Sequence, residues 1–383
     1  MAGEVRGALR YALFLGCYFS GFRVVESALE RVKGSQRWRA AAAGVVVAPT
    51  FLLADTAPSA SLSVYVALRA ALLALRAAKQ RKSGVFATPA GAALFQHGPV
   101  LSMCAAASVL LHGWLLEPTT LDKAYVSFLD RHGGKGRAVV DALSEMAMAG
   151  CTTSTMPAVR EWYASNQQHA CGALDAVPDA CSHPCDIVHP GQGHLQHALW
   201  FALRGVPAGF PVYVPVYAVS TILVQRGNLL KQPTRVLTRA SLGVLRSSAF
   251  LSSYCALAWL SCCSVHNATG CKNGRRKLSR ATILLCSLPA GLATLIEKPS
   301  RRTELALFCS GHALQSAARC ALHWGWVRPV RRADVVLLTL SSGFIMHTYR
   351  HEPTLFRSSF RNVFDWCLGH TWRRRGSFVS LIY

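Results

Sequence analysis

The chain has 383 residues, with 41 Lys and Arg against 18 Asp and Glu, a formal net charge of +23. Only 15% of residues are charged and 51% are apolar, where a soluble domain carries ~25% charge. That balance speaks against a disordered basic protein and a charge-dense nucleic-acid binder, and the scarcity of carboxylates speaks against acid/base hydrolysis. With a mean hydropathy of +0.26, it points to apolar membrane segments joined by basic loops.

The N-terminus, Met1 to Arg6, lacks a signal-peptide pattern, so the apolar run after it reads as a retained first helix. Apolar stretches follow at 8–27, 40–57, 61–78, 96–116, 197–224, 242–264, 280–296, 304–325 and 333–349. A membrane span needs ~20 apolar residues, and shorter Ala-rich stretches can pack inside a bundle. Nine such stretches in a charge-poor chain favour an all-α polytopic membrane protein over buried helices of a soluble fold. In 61–78, Ala67 and Ala71 are four apart, as are Ala70, Ala74 and Ala78. Small residues at that spacing let helices approach closely in lipid. Arg69 in the same stretch either faces a bundle interior or snorkels to the headgroups.

An internal repeat organises the chain. Gly7-Ala-Leu9-Arg10…Phe14-Leu15…Tyr18 recurs as Gly243-Val-Leu245-Arg246…Phe250-Leu251…Tyr254 at an offset of 236. His112…Glu117-Pro118-Thr119 recurs as His347…Glu352-Pro353-Thr354 at an offset of 235. Two duplicated four-helix modules are expected at 1–136 and 237–372, joined by a Cys/His-rich connector at 137–236 and followed by a basic tail at 373–383. Pro207, Pro211 and Pro215 interrupt the apolar 197–224 segment, which reads as surface-lying, re-entrant or paired. Basic clusters follow the first and third helices of each module: Arg31 to Arg39, Arg76 to Lys82, Lys272 to Lys277 and Arg328 to Arg332. The positive-inside rule puts these loops on one side and gives both modules one orientation, hence eight core helices. Lys298, Arg301 and Arg302 place charge on the other side.

Most of the 14 cysteines, such as Cys17, Cys104, Cys255, Cys262, Cys263, Cys286, Cys309 and Cys320, lie in apolar stretches and read as small packing residues. The connector differs. Cys181, Cys185, His189 and His194 have spacing usable by tetrahedral Zn²⁺, although the gap between the pairs is shorter than in a zinc finger. A loop with reduced or locally bridged cysteines is the alternative. His112 with Glu117, and His347 with Glu352, mark either a helix end before proline or a polar gate at a bundle mouth. Arg10 and Arg246, at equivalent places in the repeat, either snorkel or line a polar cavity. Asn267-Ala-Thr269 is a chance glycosylation match beside a basic loop, and Gly133-Gly134-Lys135-Gly136 lacks phosphate-loop spacing. With no catalytic triad pattern, a non-enzymatic protein is expected.

Four elements carry a family resemblance: Cys185-Asp-Ile-Val-His189-Pro190, Tyr213-Val-Pro215-Val-Tyr217, Arg246-Ser-Ser-Ala-Phe250-Leu251, and Glu297-Lys298-Pro-Ser300-Arg301-Arg302-Thr-Glu304-Leu305. Over roughly 181–370 the chain resembles the transmembrane protein 135 family, multi-spanning proteins of peroxisomes and mitochondria distantly similar to the inner-membrane translocase superfamily. It departs from the family in carrying His194 where members have a second cysteine, and in placing a full module before the Cys-rich element. The resemblance implies a protein of lipid handling and organelle dynamics, acting as scaffold or conduit for a lipid or small solute, with a translocase-like role in protein import or assembly as the alternative. Expected partners are anionic membrane lipids, a second copy of the chain, and organelle-division or import proteins. Nucleic acid is not expected.

Overall fold

The computed structural model describes residues 2–32, 36–53, 59–150, 152–166, 177–179, 183–224, 226–268 and 280–369. Cys151, Cys171, Cys181, the 272–277 basic loop, Thr269 of the sequon and the 373–383 tail lie outside these residues. Among the described residues the chain is helical and has no β-strand. It divides into two compact units, one made of residues 1–96 and 325–383, the other of 97–324.

The first unit holds α1 (Ala2–Glu30), α2 (Arg39–Val47), α3 (Ser59–Gln80), α15 (Ala333–His351) and α16 (Ser358–Leu368). Its core joins Phe22, Ala43, Leu73, Met346 and Tyr349. Small residues set the α2–α15 crossing: a Cβ on Gly44 would meet the Ser342 carbonyl oxygen at 3.0 Å, and one on Gly343 would meet Val45 Cγ2 at 2.7 Å. Ser342 closes the contact by donating to the Gly44 carbonyl at 2.9 Å. Glu26 is held by Arg39 at 2.8 Å with Arg350 at 3.9 Å, and all three side chains are at most 10% exposed.

The second unit receives α4 (Pro89–Leu116) from His97 onward, then α5 (Lys123–His132), α6 (Arg137–Ala149), α7 (Met156–Ser165), α8 (Pro184–Val188), α9 (His194–Ala208), α10 (Phe210–Val224), α11 (Arg226–Lys231), α12 (Pro233–Ala268), α13 (Arg280–Ser287) and α14 (Pro299–His323). Its main core gathers Leu110, Trp114, Phe250, Tyr254, Trp259 and Ala290. Val139, Met146, Met156, Val159, Tyr163 and Ile187 form a smaller core under α6, α7 and α8. Ser108 of α4 donates to the Leu284 carbonyl of α13 at 2.6 Å, as Ser342 of α15 does to α2 in the first unit.

Among the described residues four helices are long and apolar enough to cross a membrane: Val5–Glu30, Ala60–Ala87, Pro89–Leu116 and Pro233–Val265. A fifth is possible if His194–Ala208 and Phe210–Ile222, bent by 43° at Gly209, count as one broken span. Only 17% of the apolar window is buried in each of the first two, so most of that apolar surface faces outward. These features fit a membrane protein. Of the eight core helices expected, α1, α3, α4 and α12 reach this length and hydropathy, and Arg39–Leu53 and Arg280–Ile296 are shorter apolar helices. The 40–57 and 280–296 stretches break: α2 gives way to a 3₁₀ segment at Ala48–Leu53, and α13 to one at Leu288–Ile296. Pro49 and Pro289 sit at these transitions, where each removes an amide donor and favours the change of winding. Polar residues in α14, among them Arg301, Arg302, Glu304 and Arg319, keep it below the spanning hydropathy.

Candidate metal centre

The connector builds its site from α8 outward. His183 caps α8, accepting from the Cys185 amide at 3.3 Å, and Pro184 starts the helix where no amide donor is needed. This sets Cys185 on the inner side and ends the helix at His189. Gly191 takes a φ of +72°, which turns the chain back. The turn lets His189 Nδ1 donate to the Gln192 carbonyl at 2.9 Å. A carbonyl only accepts, so the proton sits on Nδ1 and Nε2 is left as a ligand. His194 opens α9 and puts its Nε2 at 3.0 Å from Cys185 Sγ.

The fourth member comes from a distant helix. Cys263 of α12 places its Sγ at 3.5 Å from His189 Nε2. The ligand atoms of Cys185, His189, His194 and Cys263 all lie within 4.8 Å of one another and can hold a metal ion. Tetrahedral zinc with thiolate and imidazole ligands sets such atoms about 3.3–3.8 Å apart, so the widest pair would close by about 1.0–1.5 Å and the Cys185–His194 pair would open by about half an ångström. Sequence spacing names three of these residues. It misses Cys263, which lies inside an apolar helix where a cysteine looks like packing. The fourth residue expected from spacing, Cys181, lies outside the described residues.

The contact with Cys263, followed by burial, pushes the Cys185 thiol well up. Burial is the largest single influence on His189 and lowers it, but the Cys185 contact and the Gln192 carbonyl together reverse this and raise it. Lys135 is 2% exposed and donates to the Tyr163 hydroxyl at 3.4 Å. Tyr163 in turn donates to the carbonyls of Ile187 and Val188 at 2.8 and 3.0 Å, tying α8 to α7. The Gly133–Gly136 loop thus delivers a structural lysine. A Cβ on Gly134 would strike Phe201 at 2.4 Å, and one on Gly136 would strike Trp162 at 2.2 Å.

A cavity of about 190 Å³ adjoins this site. Its walls include Leu111, Trp114, Tyr254, Ala258, Trp259 and Phe308, and Cys263 and Val188 belong to them as well. The lining is overwhelmingly apolar.

The other sequence-picked residues take separate places. α4 ends at Leu116 and α15 at His351, each before a Glu-Pro. Glu117 and Glu352 adopt nearly the same backbone, φ −134° and ψ 55° against φ −132° and ψ 59°. Glu117 pairs with Arg280 at 3.1 Å and Glu352 with Arg81, so neither pairs with its expected histidine. His112 is buried edge-on to Trp324, while His347 stacks on Trp38 at 5.2 Å. Arg69 lies over Tyr65 and Phe360, donating to the Tyr65 hydroxyl. Arg10 and Arg246 are exposed. Tyr217 and Arg301, from two separate resemblance motifs, meet: Arg301 donates to the Tyr217 hydroxyl and to Ser247 at 2.8 Å. Arg302 donates to the Leu295 and Glu297 carbonyls. Tyr213 is buried, Pro190 follows the ligand His189, Pro215 lies within α10, and Ser300 is exposed near the start of α14.

No family model matches the chain. No solved structure matches it.

Proposed function

We propose that this chain is a non-enzymatic integral membrane protein of peroxisomes or mitochondria that handles lipid, holding an acyl chain in the cavity of its second unit. The observation that carries the reading is the apolar lining of that cavity. At about 190 Å³ it exceeds the ~150 Å³ of an engineered apolar cavity that stays dry and takes benzene. A segment of hydrocarbon fits such a space; a passing polypeptide does not, which disfavours the translocase-like reading. The resemblance to the transmembrane protein 135 family supports the organelle and the lipid role.

Zinc is the metal that suits two thiolates and two imidazoles in tetrahedral array, and all four positions filled by protein make a structural site. It would clasp the connector to α12 beside the cavity wall. The duplicated-module reading takes a specific form. α1 to α4 correspond to α12 to α15, and the fourth helix of each repeat serves the other unit. The two similar helix ends at Glu117 and Glu352, and the two serine bonds from α4 and α15, support this.

The test is a photoactivatable fatty acid fed to cells expressing a tagged copy, with imaging against peroxisomal and mitochondrial markers. Cross-links on α12 or α14 and residence in either organelle are expected. Absence of labelling, or residence confined to the secretory pathway, overturns the proposal.

A further inference from the structure

Glu297 follows the 3₁₀ segment Leu288–Ile296 and is 1% exposed, yet among the described residues neither carboxylate oxygen has a hydrogen-bond partner. Thr294, fully buried three residues earlier, also leaves its hydroxyl without one. The Glu297 amide donates to the Thr294 carbonyl at 3.1 Å, the i to i+3 bond of a 3₁₀ turn. Side chains three apart eclipse in that winding, so the three bare oxygens share one face. Tyr213 of the broken α9–α10 pair is buried in the same core as Ala290 and Ala293 of this 3₁₀ segment.

A buried ionised carboxylate without compensation costs several kcal/mol. Among the described residues no basic side chain pairs with it. Arg301 gives its guanidinium to Tyr217 and Ser247, Arg302 gives its own to backbone carbonyls, and Lys298 is exposed. Their charges still set a limit on the ligand. One positive charge neutralises Glu297; two would leave an excess beside Lys298, Arg301 and Arg302. All four protein donors are oxygens, the set that hard cations take. Ends of interrupted helices are places where membrane proteins hold Na⁺, and both contributing elements are of that kind.

We propose that Thr294 Oγ1, the two Glu297 carboxylate oxygens and the Tyr213 hydroxyl form a binding site for a monovalent metal cation, with Na⁺ the best fit. The inference goes beyond the lipid reading and does not depend on it. Tyr213 also lines the apolar cavity, so ion site and cavity share a wall.

The test is thermal unfolding of the full chain in detergent, titrated with NaCl, KCl or N-methyl-D-glucamine chloride at equal ionic strength. Na⁺ should raise the melting temperature saturably, by roughly 2–5 °C, and the organic cation should not. Glu297→Gln should abolish the response while melting no lower than the wild type in the organic cation, because the amide carries no charge to bury. Thr294→Val and Tyr213→Phe should each raise the Na⁺ midpoint about tenfold, the loss of one ligand at ~1.4 kcal/mol. Equal stabilisation by the organic cation overturns the proposal, as does a Na⁺ response surviving in Glu297→Gln. A response that follows pH at fixed Na⁺ makes a proton the occupant and overturns it too. Should Glu297→Gln not fold, an unchanged midpoint in both other variants is decisive against it.

Discussion

Replacing Cys263 by serine tests the metal centre through its least expected member. The substitution removes a thiolate supplied by α12 and leaves the three connector ligands in place. Cys263 and His189 are 74 residues apart in sequence. For a cross-link closing a loop of that length, the chain-entropy relation gives about 4.5 kcal/mol. This is a ceiling, since other contacts also hold the connector: Ser252 of α12 donates to the Phe201 and Ala202 carbonyls of α9 at 3.2 and 2.6 Å. The expected loss is therefore between about 1 and 4.5 kcal/mol. The assay is metal analysis of protein purified under reducing conditions, with the cobalt-substituted spectrum as a report of tetrahedral thiolate ligation. Wild type should hold about one equivalent. Cys263→Ser should lose most of it, and Cys181→Ser should keep it. If Cys263→Ser retains the full equivalent and the same spectrum, or if Cys181→Ser loses the metal, the ligand set is wrong.

Two further substitutions probe the packing of the units. Arg39→Ala removes the 2.8 Å partner of the buried Glu26 carboxylate and should cost about 3–5 kcal/mol; Arg81→Ala, at a side chain two-thirds exposed, should cost less than about 1 kcal/mol, and equal losses in denaturation would refute the burial argument. A Cβ on Gly291 would lie 2.3 Å from the Cys104 amide nitrogen, so Gly291→Ala should destabilise by about 1–3 kcal/mol, whereas Gly16→Ala meets nothing within 4 Å and should be neutral or stabilising in the same melt.

Much of the helical plan is legible in the chain. Alternation of apolar stretches with basic loops marks the helices, and Glu-Pro marks where α4 and α15 stop. Pro207 and its neighbours announce the break that the structure places at Gly209, where a Cβ would strike Ser248 at 2.9 Å. Hydropathy misleads at 40–57 and 280–296, because it averages over the change from α to 3₁₀ winding; Pro49 and Pro289 were the available signal. At the metal centre, local spacing reveals Cys185, His189 and His194 because α8 and one turn bring them together. Cys263 joins only when α12 packs against the connector, a contact between residues far apart in sequence that no spacing rule encodes. Glu297 is hidden for a related reason. In sequence it belongs to a basic loop, and only folding shows that its carboxylate points inward while Lys298 remains exposed.

The central claim, a hydrocarbon-binding cavity in the second unit, is tested most directly by native mass spectrometry of the purified full chain. Wild type should carry a lipid-mass adduct that survives delipidation in detergent. Ala258→Phe fills the space from a cavity-lining position on α12 and should remove the adduct while leaving the melting temperature within a few degrees. A wild-type spectrum with no adduct, or an Ala258→Phe spectrum with an undiminished one, would contradict the account.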